Sequence, residues 1–154
     1  GRLVLALFGV ATAGRIAWSD SICTALQLVE HCQDVREDLG RGRIYLPADE
    51  RTAFGVREEH LRTAPAPEPL RCLLAFEALR ARGLLRSGEP LLATLPPLAR
   101  VCVAGFTAGG HAALDALARG GFDATSRTLA PRRRDTLFHA VRLLGRSLVR
   151  GAVR

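Results

Sequence analysis

The chain has 154 residues, 48% of them hydrophobic and few aromatic, which is enough for one sizeable core and unlike the composition of a disordered segment. Its net charge of +7 is uneven: residues 1–126 hold 14 arginines against 14 acidic side chains, whereas residues 127–154 hold 8 arginines against Asp135 alone. Cys23, Cys32, Cys72 and Cys102 form no C-x-x-C pair, which excludes a zinc ribbon or a redox motif, and no G-x-S-x-G or strand-helix alternation supports a serine hydrolase or a nucleotide-binding α/β fold.

The patterning is helical from the start. A first helix is expected over about Leu3 to Ala13, and a second from near Ser19, with Ser19 or Asp20 as N-cap, to Leu39, stopping at Gly40. Gly40-Arg41-Gly42 breaks the chain, and Ile44-Tyr45-Leu46 is extended ahead of Pro47. Pro47-Ala48-Asp49-Glu50 opens a short helical turn, and Pro65, Pro67 and Pro69 mark a stiff connection. Long helices follow over about Pro69–Leu85 and Leu98–Arg119; in the second, Gly105 and Gly109 suit a close helix crossing. His111 and His139 have no partner at ligand spacing and read as surface or capping residues, and the cysteines read as small buried hydrophobes.

The last segment is a basic amphipathic helix. Leu137, Val141, Leu144 and Leu148 repeat on one side while Arg142, Arg146 and Arg150 run beside them. Such a stripe suits either an anionic membrane surface, where each nearby cation contributes about 1 kcal/mol, or packing onto a helical bundle. Nucleic acid is not expected as a partner, because the arginines lack interleaved aromatics or a reader motif. No basic leader precedes the apolar start and no run of 18 apolar residues occurs, so a cytoplasmic protein is expected, with peripheral contact at the inner membrane surface. Methionine is absent and Gly1-Arg2 leads into an apolar run without a cap, so the chain is expected to be a piece of a longer protein.

The most informative stretch runs from Gln27 to Pro47. On one continuous helix Gln27, His31, Asp34 and Asp38 fall within an arc of about 60°, with Glu30 at its edge and Leu28, Cys32, Val35 and Leu39 opposite. By spacing alone this is also what an ordinary surface helix displays. Carboxylates one turn apart are equally able to ligate a hard cation such as Mg²⁺ and share it with phosphate oxygens. The whole string Q-L-V-E-H-C-Q-D-V-R-E-D-L-G-R-G-R-I-Y-L-P resembles the second aspartate-rich segment of the squalene and phytoene synthases. The opening Gly1–Gly9 stretch and Trp18-Ser19-Asp20 resemble the helix segments that precede it in that family. The Glu30-His31 pair looks most like the bacterial hopanoid-pathway enzymes that make hydroxysqualene.

The resemblance implies an all-α helical bundle of the isoprenoid synthase type with a central cavity, of which residues 1–154 would be the C-terminal portion of a single domain, with 127–154 as the basic tail. It implies a transferase of prenyl groups that ionises an allylic diphosphate with Mg²⁺ and couples farnesyl units head to head towards squalene or hydroxysqualene. Farnesyl diphosphate or presqualene diphosphate would be the substrate, and a phytoene synthase or a non-catalytic membrane-surface module are the alternatives. Asp34 and Asp38 match the metal-binding, catalytic carboxylates; Gln27, Glu30, Arg43 and Tyr45 match the substrate site, the last two on the loop that closes it. Glu30 stands where many relatives have asparagine, and Gln33 where phytoene synthases have arginine. The family's other aspartate-rich segment has no counterpart before Gln27, so residues 1–154 alone are expected to be inactive.

Overall fold

The computed structural model describes residues 1–152, and every regular element among them is helical: α1 (Arg2–Leu7), α2 (Ala13–Gln33), α3 (Val35–Gly40), α4 (Ala48–Ala53), α5 (Glu58–Arg62), α6 (Glu68–Gly88), a 3-10 helix (Glu89–Thr94), α7 (Pro97–Arg119) and α8 (Arg133–Ala152). The all-α class is that expected. Residues 153 and 154, the end of the expected basic tail, lie outside the described residues.

Helices α2 and α6 make the centre of the fold. Ile22, Ala25, Val29 and Cys32 on α2 and Leu70, Leu73, Leu74, Ala78, Ala81 and Leu85 on α6 join one buried cluster. Each such side chain contributes about 1.5–3 kcal/mol when fully buried. Their close approach requires Gly88, where a Cβ would stand 2.7 Å from the Trp18 carbonyl oxygen. Helix α7 closes on the pair through Gly110, where a Cβ would meet Leu26 Cδ2 at 2.7 Å. Gly105 and Gly109 are not the crossing point, because open space surrounds both; the buried arc of α7 runs instead through Ala104, Thr107, Ala108, His111 and Leu114.

Three boundaries differ from expectation. The first helix ends at Leu7, because Gly9 takes a left-handed φ of 64° and the chain turns before α2 begins. Thr12, whose hydroxyl accepts from the Arg15 amide at 3.4 Å, is the N-cap of α2, while Ser19 and Asp20 lie inside it; Asp20 pairs with Arg2 at 2.6 Å. Asp34 leaves helical geometry (φ −100°, ψ 14°) and divides the expected single helix into α2 and α3. The proline-rich connection is built into the core: Ala66 is buried, and its amide donates to Asp123 Oδ1 at 2.9 Å.

Helix α7 is long and apolar enough to cross a membrane by length and composition, contrary to the expectation of no such segment, yet 61% of its apolar window is buried in the bundle. Of the cysteines only Cys32 is buried; Cys23, Cys72 and Cys102 are exposed, since the helix periodicity puts them on outward arcs.

Neither His111 nor His139 is a surface or capping residue. They are buried, and their rings stack with centroids 5.2 Å apart where α8 meets α7. His139 Nε2 lies 2.7 Å from Asp115 Oδ2, whose other oxygen accepts from Arg82 at 2.9 Å, and His111 Nε2 lies 3.4 Å from Glu89 Oε1. Burial pushes the Asp115 carboxyl up, but the hydrogen bonds from His139 and Arg82 outweigh it and hold the group below its ordinary range. Around Leu143 an apolar cluster of Leu92, Ala104 and Ala108, with half-buried Val103, Ala140 and Leu144 packed against it, completes the contact.

Glu77 is buried on α6, beneath Cys32, and shares a proton with Glu50 of α4 while Arg80 pairs with both carboxylates. Burial first, and the hydrogen bond with Glu50 second, push the Glu77 carboxyl up to about 7, whereas Glu50 is held low by its bonds to Glu77 and Arg80. The folded chain therefore holds a proton on Glu77 that the unfolded chain releases near its ordinary value. The stability contributed by the Glu77 proton is present in full below that group's ordinary value and is lost as pH rises through 7, whereas the Glu50 contribution is lost only in acid. Thermal melts should show Tm rising by about 3 °C per unit between pH 7 and pH 5, and Glu77→Gln should flatten that slope; an unchanged slope in the variant contradicts the assignment.

Candidate functional site

Because α2 turns Ile22, Ala25, Val29 and Cys32 inward, its opposite arc carries Cys23, Leu26, Gln27, Glu30 and Asp34 to the open side of the bundle. Near the N-terminal end of this arc lies an apolar cavity of about 270 Å³ lined by Val4, Ile22, Cys23, Leu26, Leu91 and Phe106. A second hollow of about 310 Å³ is lined by Leu26, Val29, Glu30, Gln33, Phe106 and Gly109. Leu26 and Phe106 line both, so one continuous track runs along α2 from an apolar end to a polar one.

The structure distributes the sequence-derived residues over two hollows that share no lining residue, so Asp34 and Asp38 open into different ones. Asp38, half-buried, shares a narrow cleft with His31, Arg43, Tyr45 and Leu46. His31 stacks on Tyr45 with centroids 4.2 Å apart, and Gln27 Nε2 lies 3.4 Å from His31 Nε2. The loop bearing Arg43 and Tyr45 is thus folded back on α2: Gly42 takes φ 71°, the Arg43 amide donates to the Asp38 carbonyl at 2.8 Å, and Arg51 Nε donates to the Leu46 carbonyl at 3.2 Å. Asp34, exposed, faces a wider hollow lined by Gln33, Arg36, Glu37 and residues 124–128. Glu30 is exposed on the track between these hollows and the apolar cavity.

The two aspartates remain one turn apart despite the interruption, for the Asp38 amide donates to the Asp34 carbonyl at 2.8 Å. Burial pushes the Asp34 carboxyl above its ordinary range, and the neighbouring charges of Glu37 and Asp38 push it further, against Arg41 and His31. The hollow of Asp34 sets Asp34 and Glu37 against Arg36 and Arg127, and the cleft of Asp38 holds Arg43, so acids and arginines balance in each. Among the described residues no three His, Cys, Asp or Glu side chains converge on a metal position. Magnesium takes one or two carboxylates together with waters and substrate phosphates, so the hard-oxygen donors Asp34 and Asp38 fit it without a third.

Several residues that shape this site carry no local signal in the sequence. Gln33 Nε2 donates to the Leu129 carbonyl at 2.8 Å and Arg36 Nη1 to the Thr125 carbonyl at 3.0 Å, tying the loop after α7 to the acidic end of α2. Asp123 organises that loop, accepting from the Ser126 hydroxyl at 2.6 Å, the Ser126 amide at 3.2 Å and the Thr125 hydroxyl at 3.1 Å, as well as from Ala66. These bonds, that of the Ser126 hydroxyl foremost, hold its carboxyl down to about 2. The D-x-T/S-S pattern at 123–126, after Gly120-Gly121, is the one clue to such a side-chain-capped turn.

The family model described as squalene/phytoene synthase matches residues 1–136. Similar relatives include a phytoene synthase of Mycobacterium tuberculosis, 36% identical over 107 residues that cover 68% of this chain and 35% of the relative. A hydroxysqualene synthase of Rhodopseudomonas palustris is 37% identical over 97 residues, covering 62% and 32%. Among solved structures, squalene synthase HpnC from Alicyclobacillus acidocaldarius superposes with a TM-score of 0.76 at 37% identity, over 79% of this chain and 46% of that one. The chain therefore spans about a third of the length of the curated relatives it matches, 35% for the mycobacterial one.

Replacing Asp123 by alanine should raise hydrogen exchange at residues 124–129 and lower Tm by about 2–5 °C. Unchanged exchange there would show that the loop beside Asp34 is held by other contacts.

Proposed function

The chain belongs to the squalene/phytoene synthase family, and on that premise we propose that it supplies one wall of a site in which two prenyl diphosphates are joined head to head, with farnesyl units leading towards squalene or hydroxysqualene. The observation that carries this reading is the pair of hollows along α2 that share Leu26 and Phe106 and reach Glu30 and Gln33, with Gln33 also lining the hollow of Asp34, and Asp38 opening into a separate cleft beside Arg43 and Tyr45. A prenyl diphosphate has the same two-part character. Its hydrocarbon chain suits the cavity, and its phosphates suit the end where Arg43 and Tyr45 face Asp38.

In this reading Asp34 and Asp38 hold Mg²⁺, which when bound neutralises the charge that builds on a departing diphosphate. Gln27 and Glu30 orient the substrate on the arc of α2 that leads from hydrocarbon to phosphate. The Arg43 guanidinium, always charged, pairs with phosphate oxygens as they separate from carbon. Tyr45 keeps its loop seated by stacking on His31, so that water is excluded while a carbocation exists. Leu26 and Phe106 offer that cation no nucleophile, which favours coupling to the second prenyl unit. The solved HpnC structure, similar over most of this chain, favours a farnesyl substrate. A geranylgeranyl substrate, as a phytoene synthase would take, is the second reading, since the longest matched stretches belong to relatives of that name.

The test is turnover by the protein that carries this chain, with farnesyl and geranylgeranyl diphosphates supplied separately and products identified by mass spectrometry. Asp34→Ala and Asp38→Ala should each lower turnover on the order of 10²-fold and weaken the Mg²⁺ dependence. Near-native turnover in both variants removes the metal assignment, and a preference for the C20 substrate selects the second reading.

A further inference from the structure

The loop that carries Arg43 and Tyr45 runs directly into α4, a helix of six residues, too short to hold its own position without contacts to the bundle. Leu46 is buried, its carbonyl accepts from Arg51 Nε of α4 at 3.2 Å, and Phe54, at the end of α4, meets Phe76 of α6 with ring centroids 5.4 Å apart. Between these contacts Glu50 of α4 pairs with Arg80 Nη2 of α6. Arg80 Nη1 reaches both oxygens of Glu77, at 3.1 and 3.2 Å, and the guanidinium lies over the Phe76 ring at 4.9 Å. Glu50 Oε2 is buried with no donor among the described residues, and the proton on neighbouring Glu77 supplies one. Facing Glu77 are Arg80 on its own helix, Glu50 on α4, where Asp49 also acts on Arg80, and on α2 the Cys32 thiol, which burial pushes up to about 12 and keeps neutral.

We propose that Glu50, Glu77 and Arg80 form a tether that seats α4 on α6 and thereby positions the Arg43–Tyr45 loop against α2. These three side chains reach the loop only through α4, so they are positioning residues and touch no substrate. On its α2 side the loop is fastened by the Tyr45 ring on His31 and by the Arg43 amide on the Asp38 carbonyl, both near the surface. The charged cluster, with Glu77 fully buried, is the stronger anchor. With a proton on Glu77 the cluster is balanced, one carboxylate against one guanidinium. Once that proton leaves, two buried carboxylates share a single arginine, and their repulsion pushes α4 away from α6. That the loop closes over a diphosphate rests on the function proposed above, whereas its seating by α4 does not.

The experiment is hydrogen exchange of the protein that carries this chain, read as protection so that the intrinsic pH dependence of exchange is removed. Opening the tether releases the Glu77 proton, so protection at residues 43–51 should fall by about tenfold per unit as pH rises from about 5 to 7 and level off above that. Glu77→Gln, which keeps a neutral donor beside Glu50, should hold the loop protected and remove the slope. His31 is present in both proteins, so the difference between them belongs to Glu77. Glu50→Ala, which cuts the tether from the α4 side, should lower protection of the same residues on the order of tenfold at low pH. It should also raise KM for farnesyl diphosphate severalfold. The tether is overturned by loop protection that is flat with pH in the unaltered protein, by a slope that persists in Glu77→Gln, or by unchanged protection in Glu50→Ala. Unchanged KM in a Glu50→Ala protein whose loop has loosened overturns the positioning role. Absence of any prenyl diphosphate turnover in the unaltered protein removes the function proposed above, and the exchange result still decides the tether.

Discussion

Commitment of one face of α2 to α6 is the constraint from which the rest follows. A helix that buries Ile22, Ala25, Val29 and Cys32 has no freedom in where its other residues point. Gly88 lets the two backbones meet, and Gly110 lets α7 rest on Leu26 without covering the arc that bears Gln27, Glu30 and Asp34. A larger residue at either glycine forces side chains or backbone apart, and the displaced element in both cases is the helix that carries the candidate site. Core packing and site geometry are here one property of one helix.

Three carboxylates illustrate how placement sets charge. Asp123 sits in a ring of donors and stays ionised, so its role is to hold a loop in shape. Glu77, under α2, keeps its proton to about pH 7 because burial and Glu50 disfavour the second charge. Asp34 lies between these cases: desolvation first, and then the charges of Glu37 and Asp38, raise it, and among the described residues no side chain donates to it as Ser126 does to Asp123. In the proposed reading that leaves Asp34 able to take a cation from outside, a role the two structural carboxylates do not share.

Much of this is legible in the sequence where the information is local. The helices around Leu73 and Leu114 follow from their periodicity, and the run from Gln27 to Tyr45 identifies both its family and its acidic face. Legibility fails where a partner is distant. Nothing near Gln33 announces Leu129, and nothing near His111 announces Glu89 or His139, so a buried pair of rings looks like two solitary surface histidines. It fails again at residues 8–12, whose composition stays apolar while Gly9 and Thr12 redirect the backbone. The stripe of leucines on α8 leaves its partner open for another reason: hydrophobic periodicity says that a face exists, not which of two candidate surfaces meets it.

The seam beneath α8 has one more consequence. Apolar contacts between helices tolerate sliding, because one leucine substitutes for another at nearly equal energy. The pairs His139 with Asp115, Arg119 with Asp135 and Arg146 with Glu89 do not. A shift of one turn, about 5.4 Å, would strand each of these charges against a non-complementary neighbour. Helix α8 is thereby locked at a single axial setting, much as a ratchet holds one tooth, and the orientation in which it offers its outer side to the surroundings is fixed by electrostatics within.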